Sequence, residues 1–391
     1  MVVSILATET KYLNNEHLQG FRKYKYSSID TNPVGIYIMH PFWDWIVRFF
    51  PLWIAPNLIT FVGFLFIIKS FIVLSIYDYY FYASIDNVTS WSPIPAWIFA
   101  LIACNVFISY TLDGVDGKQA RRTKTDGPIG ELFDHGLDSW TTVYIPLFLY
   151  STLGRSEITM SPRRMYFICW SVFFNFYITH VEKYITGVLY LPWSYDLSML
   201  GTVIIFGVTA LTGHGVWQKV IFHGYSMGNI IELGLYLIAC IFNVPVVSYN
   251  LYVAFSSKKG KNLSLWEGFR PLIPLALFLS LSLTWLNYSP SNIIERDPRA
   301  FCLLTGTIFS NICCRLIIAQ MSNTRCQIFN AMLIPFSIVI LVSILVPPLE
   351  LFLLYVSVMF SIIYHVHFGV CVVKQMCDHF DRKCFQIHVK C

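Results

Sequence analysis

Four aspartates, Asp113, Asp116, Asp134 and Asp138, fall within YTLDGVDGKQARRTKTDGPIGELFDHGLDSW, residues 110–140, where the flanking sequence is strongly apolar. The first pair is spaced three residues apart and the second pair four, so in helices each pair shares one face. A carboxylate at hydrocarbon depth costs roughly 2.5–3.5 kcal/mol on insertion scales, and four facing one another also repel. Cations neutralise such a group, and all-oxygen ligation selects a hard ion, magnesium or manganese. Two ions, each taking several of these carboxylates, would keep positions open for phosphate oxygens. Gly114, Gly117, Ala120 and Gly130 remove side chains where a bulky ligand must approach the backbone. Arg121, with Lys118 and Arg122 close by, offers positive charge to a diphosphate, and an arginine does so bidentately. Metal, small residues and arginine together suit phosphoryl transfer, in which positioning and charge neutralisation supply most of the catalysis. A solvated loop accounts for one or two such aspartates, but not for four at face-matched spacing. An ion pathway is the remaining alternative, because intramembrane carboxylates also mark transporters. Transport predicts charges deeper in several spans, whereas these gather at one mouth.

The elements that must hold these residues are read from hydropathy. The chain has 391 residues, 56% hydrophobic and 13% charged, with mean hydropathy +0.59. A soluble domain carries about 25% charged residues, so one all-α polytopic membrane domain is expected. Apolar runs of the ~20 residues that cross a bilayer recur near 56–77, 94–112, 131–153, 164–185, 197–213, 226–256, 268–286, 299–320, 327–346 and 349–371. About ten transmembrane helices follow, the sixth kinked or split at Pro245. The organisation expected is a segment over 1–55, a transmembrane catalytic domain over 56–371 and a tail over 372–391. HPFWDWIVRFFPLW, before the first span, is too short to cross; it suits an amphipathic helix in the interface or an ordinary loop. The N-terminal residues lack the basic region and apolar length of a cleaved signal peptide.

Ten spans put both ends on one side, which then carries 18 Lys and Arg against 6 on the other. The positive-inside rule makes that side, and the aspartate cluster with it, cytosolic. Seven of the eleven cysteines sit in apolar runs and the rest on this cytosolic side, so no structural disulfide is expected. No charge pattern points to nucleic acid.

Residues 113–138 read D-G-x-x-G-x-x-A-R, eight residues, G, three residues, D, three residues, D, with Asp116 inside the first gap. This resembles in full the signature of the CDP-alcohol phosphotransferases. NPVGIYIMHPFW, APNLITFVGF, HVEKYITGVLYLPWSYD, QMSNTRC and HFGVCVVKQM extend the resemblance over about residues 15–376, to the eukaryotic ethanolamine- and cholinephosphotransferases, with the ethanolamine enzymes nearer. The resemblance implies the family's ten-helix fold in an endoplasmic reticulum or Golgi membrane. It implies that Asp113, Asp116, Asp134 and Asp138 hold two metal ions, and that Gly117, Ala120, Arg121 and Gly130 shape the CDP site. It further implies transfer of phosphoethanolamine from CDP-ethanolamine to diacylglycerol, giving phosphatidylethanolamine and CMP, with phosphatidylcholine synthesis as the alternative. A homodimer is compatible with it. Vertebrate ethanolamine enzymes end in a longer tail with selenocysteine, whereas this chain ends CDHFDRKCFQIHVKC, so tail function does not carry over.

The attacking hydroxyl needs a base. His135 has a suitable ordinary pKa, near 6.5, and is preferred to Asp138, although position 135 points about 100° round the helix from Asp134. Glu131 is open between a metal or cytidine contact and a charge stabilising its helix N-terminus. Asn57 is expected to cap its helix rather than contact substrate, and Lys69 to snorkel. His180, Glu182 and Asp196 read as a solvated loop unless they shape the head-group pocket. Cys377, His379, Cys384, His388 and Cys391 lack the short spacing of a strong zinc site. Asn87 and Asn287 begin glycosylation sequons expected on the lumenal side.

Overall fold

Backbone polar groups in hydrocarbon must be satisfied within the segment, so long apolar runs can only be helices. The structure, a computed structural model, describes residues 10–83, 94–155, 159–191, 193–262 and 264–387. Its longer helices are α1 (Asn15–Lys23), α2 (His40–Ile46), α3 (Pro56–Tyr77), α4 (Ala96–Thr123), α5 (Pro128–Leu153), α6 (Pro162–Thr186), α7 (Trp193–Thr212), α8 (Met227–Ile238), α9 (Val244–Ser257), α10 (Leu272–Tyr288), α11 (Pro298–Ser322), α12 (Leu333–Leu345) and α13 (Glu350–Phe380). Each expected span overlaps a helix, although 327–346 is helical only over Leu333–Leu345. Seven helical segments among the described residues are long and apolar enough to cross a membrane. The α5, α6 and α12 segments are not in that set: α5 and α6 carry the polar residues of the site, and α12 has only 13 residues. The expected break at Pro245 is present as a π-helical turn, Ala239–Asn243, with Pro245 in the first turn of α9.

Proline opens α3, α5, α6 and α11, where its missing N–H has no helical partner to lose. At its other end α4 closes on Lys124 in the left-handed conformation, φ 55°, and the chain re-enters α5 within four residues. That tight turn puts the two aspartate-bearing helix ends side by side.

Helix α11 is the hub, packing on α1, α5, α6 and α13. Its Gly306 lies where a Cβ would come within 2.5 Å of Val143, which lets α5 approach closely. Helices α3, α4 and α7 form the other flank. Large apolar side chains such as Leu65, Ile72, Ile76, Leu211, Leu341 and Phe352 face outward, a surface suited to lipid rather than water.

The strand pairing and the packing of the tail were not visible from hydropathy. Strand β1 (Ser28–Asp30) pairs in parallel with β2 (Leu189–Leu191), joining the N-terminal segment to the α6–α7 connection. The segment HPFWDWIVRFFPLW is mostly helical, with Trp43 buried against α4 and Trp45, Phe49 and Trp53 exposed. The residues after α13 fold back beneath α3 and α5, with Phe385 packed near Phe61 and Phe133.

Candidate active site

The aspartates converge. One carboxylate oxygen from each of Asp113, Asp116 and Asp134 lies within 4.8 Å of the others, and Asp134, His135 and Asp138 form a second such set. Tyr195 donates to Asp113 at 2.6 Å, Thr60 donates to Asp116, and Asp134 Oδ1 is buried without a partner among the described residues. A buried oxygen with no donor is costly, and an all-carboxylate donor set with one such oxygen fits a divalent cation. His135 Nδ1 stands 3.9 Å from Asp134 Oδ2 and 3.7 Å from Asp138 Oδ2, with its ring edge-on to His180 at 5.3 Å.

These groups line one end of a cavity of about 410 Å³, with Gly114, Gly117 and Arg121 in its wall. A Cβ at Gly114 would fall 2.2 Å from the Trp43 ring, so this glycine admits an aromatic wall rather than a ligand backbone contact. Lys118 is paired with Asp44 at 2.7 Å and Arg122 donates to the Val47 carbonyl, which leaves Arg121 as the cation in the wall. Beyond the carboxylates the cavity runs between α5, α6, α7 and α8, past Ile145, Leu149, Ile168, Met199, Leu235 and Ile238. Charge at one end and an apolar arm at the other can bring a phosphorylated headgroup and a lipid together.

Other expected site residues lie elsewhere. Asn57, Ala120, Gly130 and Glu131 are absent from the residues lining the cavity. Asn57 does not cap α3, whose N-cap is Ala55; it donates to the Cys384 carbonyl at 3.0 Å, and Gly130 faces its Oδ1. Ala120 closes α4, its carbonyl accepting from Thr125. Glu131 is buried in an ion pair with Lys183 and accepts from the Tyr24 hydroxyl at 2.5 Å. Burial, and then the Glu131 carboxylate, push the Tyr24 phenol well above its usual range, so it stays a donor. His180, Glu182 and Asp196 are not a solvated loop: His180 and Glu182 lie within α6, Asp196 lies in the first turn of α7, and packing leaves them 2%, 1% and 7% exposed. His180 and Asp196 line the cavity, and Glu182 accepts from Asn250. Asp30, Trp43, Thr60 and Tyr195 also line it and were not anticipated. Tyr195 could have been suspected from its place beside Asp196.

In the tail, His379 accepts from Arg22 at 3.0 Å, and Cys377, His379 and Cys384 form no metal-ligand cluster among the described residues. His388, Cys391 and the Asn87 sequon lie outside the described residues.

Comparison with known proteins agrees with this geometry. The family model described as CDP-alcohol phosphatidyltransferase matches residues 53–222, which carry all four aspartates. Human ethanolaminephosphotransferase 1 is 41% identical over 373 residues, spanning 95% of this chain and 93% of the relative. The chain belongs to the CDP-alcohol phosphotransferase family. The mouse ethanolaminephosphotransferase 1 is 42% identical over the same shares of both chains, 95% and 93%. Xenopus laevis cholinephosphotransferase 1 is 31% identical over 80% of this chain and 75% of the relative. Membership accounts for the carboxylate cluster: family members depend on divalent metal, and this chain places oxygen ligands to match.

Proposed function

We propose that this protein is an ethanolaminephosphotransferase, transferring phosphoethanolamine from CDP-ethanolamine to diacylglycerol with release of CMP. The observation that carries it is one cavity joining the four-aspartate cluster to an apolar arm between α5, α6, α7 and α8. Asp113, Asp116, Asp134 and Asp138 would hold two ions, magnesium or manganese, whose charge neutralises the diphosphate and favours CMP as leaving group. Arg121 adds a cation to the same wall. His135, set on α5 between two of these aspartates, takes the proton of the diacylglycerol hydroxyl as it attacks the phosphorus next to ethanolamine. Asp138 is the alternative base, provided that it is free of metal. Tyr195 and Thr60 hold Asp113 and Asp116 in place through hydrogen bonds. Lipid enters along the apolar arm.

The active site is read as facing the cytosol of an endoplasmic reticulum or Golgi membrane, from the distribution of lysine and arginine and the family resemblance. Helix α2 and the exposed Trp45, Phe49 and Trp53 are read as lying in the membrane interface. A choline or dual-specificity enzyme is the second reading, favoured by the likeness to the cholinephosphotransferase of Xenopus laevis. Purified protein in detergent, given CDP-ethanolamine or CDP-choline with diacylglycerol, decides. CMP release favouring CDP-ethanolamine supports the first reading, and higher turnover per unit concentration with CDP-choline overturns it.

A further inference from the structure

The cavity has a second polar lobe beside the metal carboxylates. Strand β1 brings Asp30 into register with Leu191 on β2, and β2 leads directly into α7, which carries Tyr195 and Asp196. Asp30 and Asp196, far apart in sequence, therefore face the same lobe. Gly35 shows how near they are: a Cβ there would lie 2.7 Å from Asp30 Oδ2 and 3.1 Å from Asp196 Oδ2, so any larger residue would intrude between the carboxylates. Both are rigidly mounted. Asp30 Oδ2 lies 2.8 Å from His40 Nε2, and its Oδ1 accepts from the Asn32 N–H at 2.8 Å. Asp196 accepts from Tyr110 and from the Asn32 side chain. Each oxygen keeps a second lone pair for a further donor.

Trp43 forms an aromatic wall of this lobe. It is only 6% exposed, and has an indole N–H without a partner among the described residues. The indole ring stands 5.3 Å from the His40 ring and 5.3 Å from the Tyr110 ring, within the wall that holds the two carboxylates. The lobe also touches the reaction centre, because Tyr195 joins it to Asp113 through the 2.6 Å hydrogen bond.

Resting on the phosphotransferase reading above, we propose that Asp30 and Asp196 accept the substrate's primary ammonium and set the preference for ethanolamine over choline. A primary ammonium carries three N–H donors, which two carboxylates can satisfy with charge-assisted hydrogen bonds. A trimethylammonium has none and instead seeks aromatic faces. Beside the two carboxylates, Trp43 packs T-shaped with His40 and with Tyr110, and Tyr110 donates its hydroxyl to Asp196.

The test uses the full-length enzyme in detergent with CDP-ethanolamine, its N-methyl and N,N-dimethyl analogues, and CDP-choline. The wild type should lose kcat/KM with each added methyl. Asp30→Asn and Asp196→Asn should each lower kcat/KM for CDP-ethanolamine about tenfold or more, leave CDP-choline within about threefold, and flatten the methyl series. CMP binding, measured by calorimetry, should stay unchanged and so report an intact fold. If an Asp196 variant does not bind CMP, Asp30→Asn decides, because Asp30 sits on the arm with its side chain 14% exposed rather than inside a helix. Equal losses on all four substrates, or no loss on any, overturn the assignment. A wild type that releases no CMP from any CDP-alcohol overturns the phosphotransferase reading itself.

Discussion

At the scale of the residue, the four aspartates are held by different neighbours, and this sets what each substitution should do. Asp116 is buried with Thr60 donating to it, Asp113 is bonded to Tyr195, and Asp134 keeps an oxygen without a donor among the described residues. Replacing Asp113, Asp116 or Asp134 with Ala removes a proposed metal ligand without opening an apolar core. CMP release should fall by roughly 10²–10³-fold or more, the scale for losing one preorganised electrostatic group, while membrane insertion is unchanged. Near-normal turnover in any of the three would remove the metal argument. A general base acts in the transition state, so under the proposed role His135→Ala should lower kcat by roughly 10²–10⁴-fold with KM for the CDP-alcohol little altered. An unchanged rate there, together with an inactive Asp138→Asn, would pass the role to Asp138.

At the scale of the element, the ion pair between Glu131 on α5 and Lys183 on α6 carries more than one contact. Its side chains are 5% and 2% exposed, Tyr24 donates to the same carboxylate, and Lys183 lies 4.8 Å from the Tyr26 ring in the cavity wall. The pair thus ties two helices and the N-terminal arm together one turn from Asp134. Glu131→Ala leaves a buried lysine unpaired, which costs roughly 3–5 kcal/mol, and the melting temperature in detergent should drop accordingly. Glu131→Gln combined with Lys183→Met should recover much of that stability. A Glu131 that contacted substrate would instead lose activity at unchanged melting temperature. A second element-scale case is Gly114, where the α2 segment meets α4. Gly114→Ala drives a methyl into Trp43, costing about 1–3 kcal/mol as overpacking. Thermal unfolding should register it even with no substrate present.

At the scale of the whole molecule, the cavity decides between chemistry and transport. The carboxylates sit at one end of it, beside Arg121, and its other arm is apolar. An ion pathway needs charged groups continuing through the hydrocarbon, whereas Ile145, Leu149, Ile168 and Leu235 line that arm together with the uncharged Ser171, Asn175 and Thr202. Turnover should therefore appear in detergent with no sealed compartment. EDTA should abolish it, and magnesium or manganese should restore it. Activity detectable only as flux across vesicles would sink the enzyme reading.

Much of the fold was legible without coordinates. Long apolar runs have one solution in a bilayer, so hydropathy located the helices, and Pro245 marked the interruption between α8 and α9. The aspartate spacing was equally legible, because neighbours in a helix are set by local geometry alone, and Asp113, Asp116, Asp134, His135 and Asp138 do meet. Local rules stop where a partner comes from elsewhere in the chain. Nothing near Glu131 announces Lys183, nothing near Asn57 announces the Cys384 carbonyl, and nothing near Asp113 announces Tyr195. His180, Glu182 and Asp196 read as a polar loop because their charges interrupt hydropathy, yet burial is a property of what packs around them. Strand β1 has three residues and no pattern of its own; only its pairing with β2 carries Asp30 to Asp196. Backbone satisfaction and helical periodicity were thus determined by the sequence itself, whereas the cavity's polar lobe was decided by long-range packing, which no local spacing encodes.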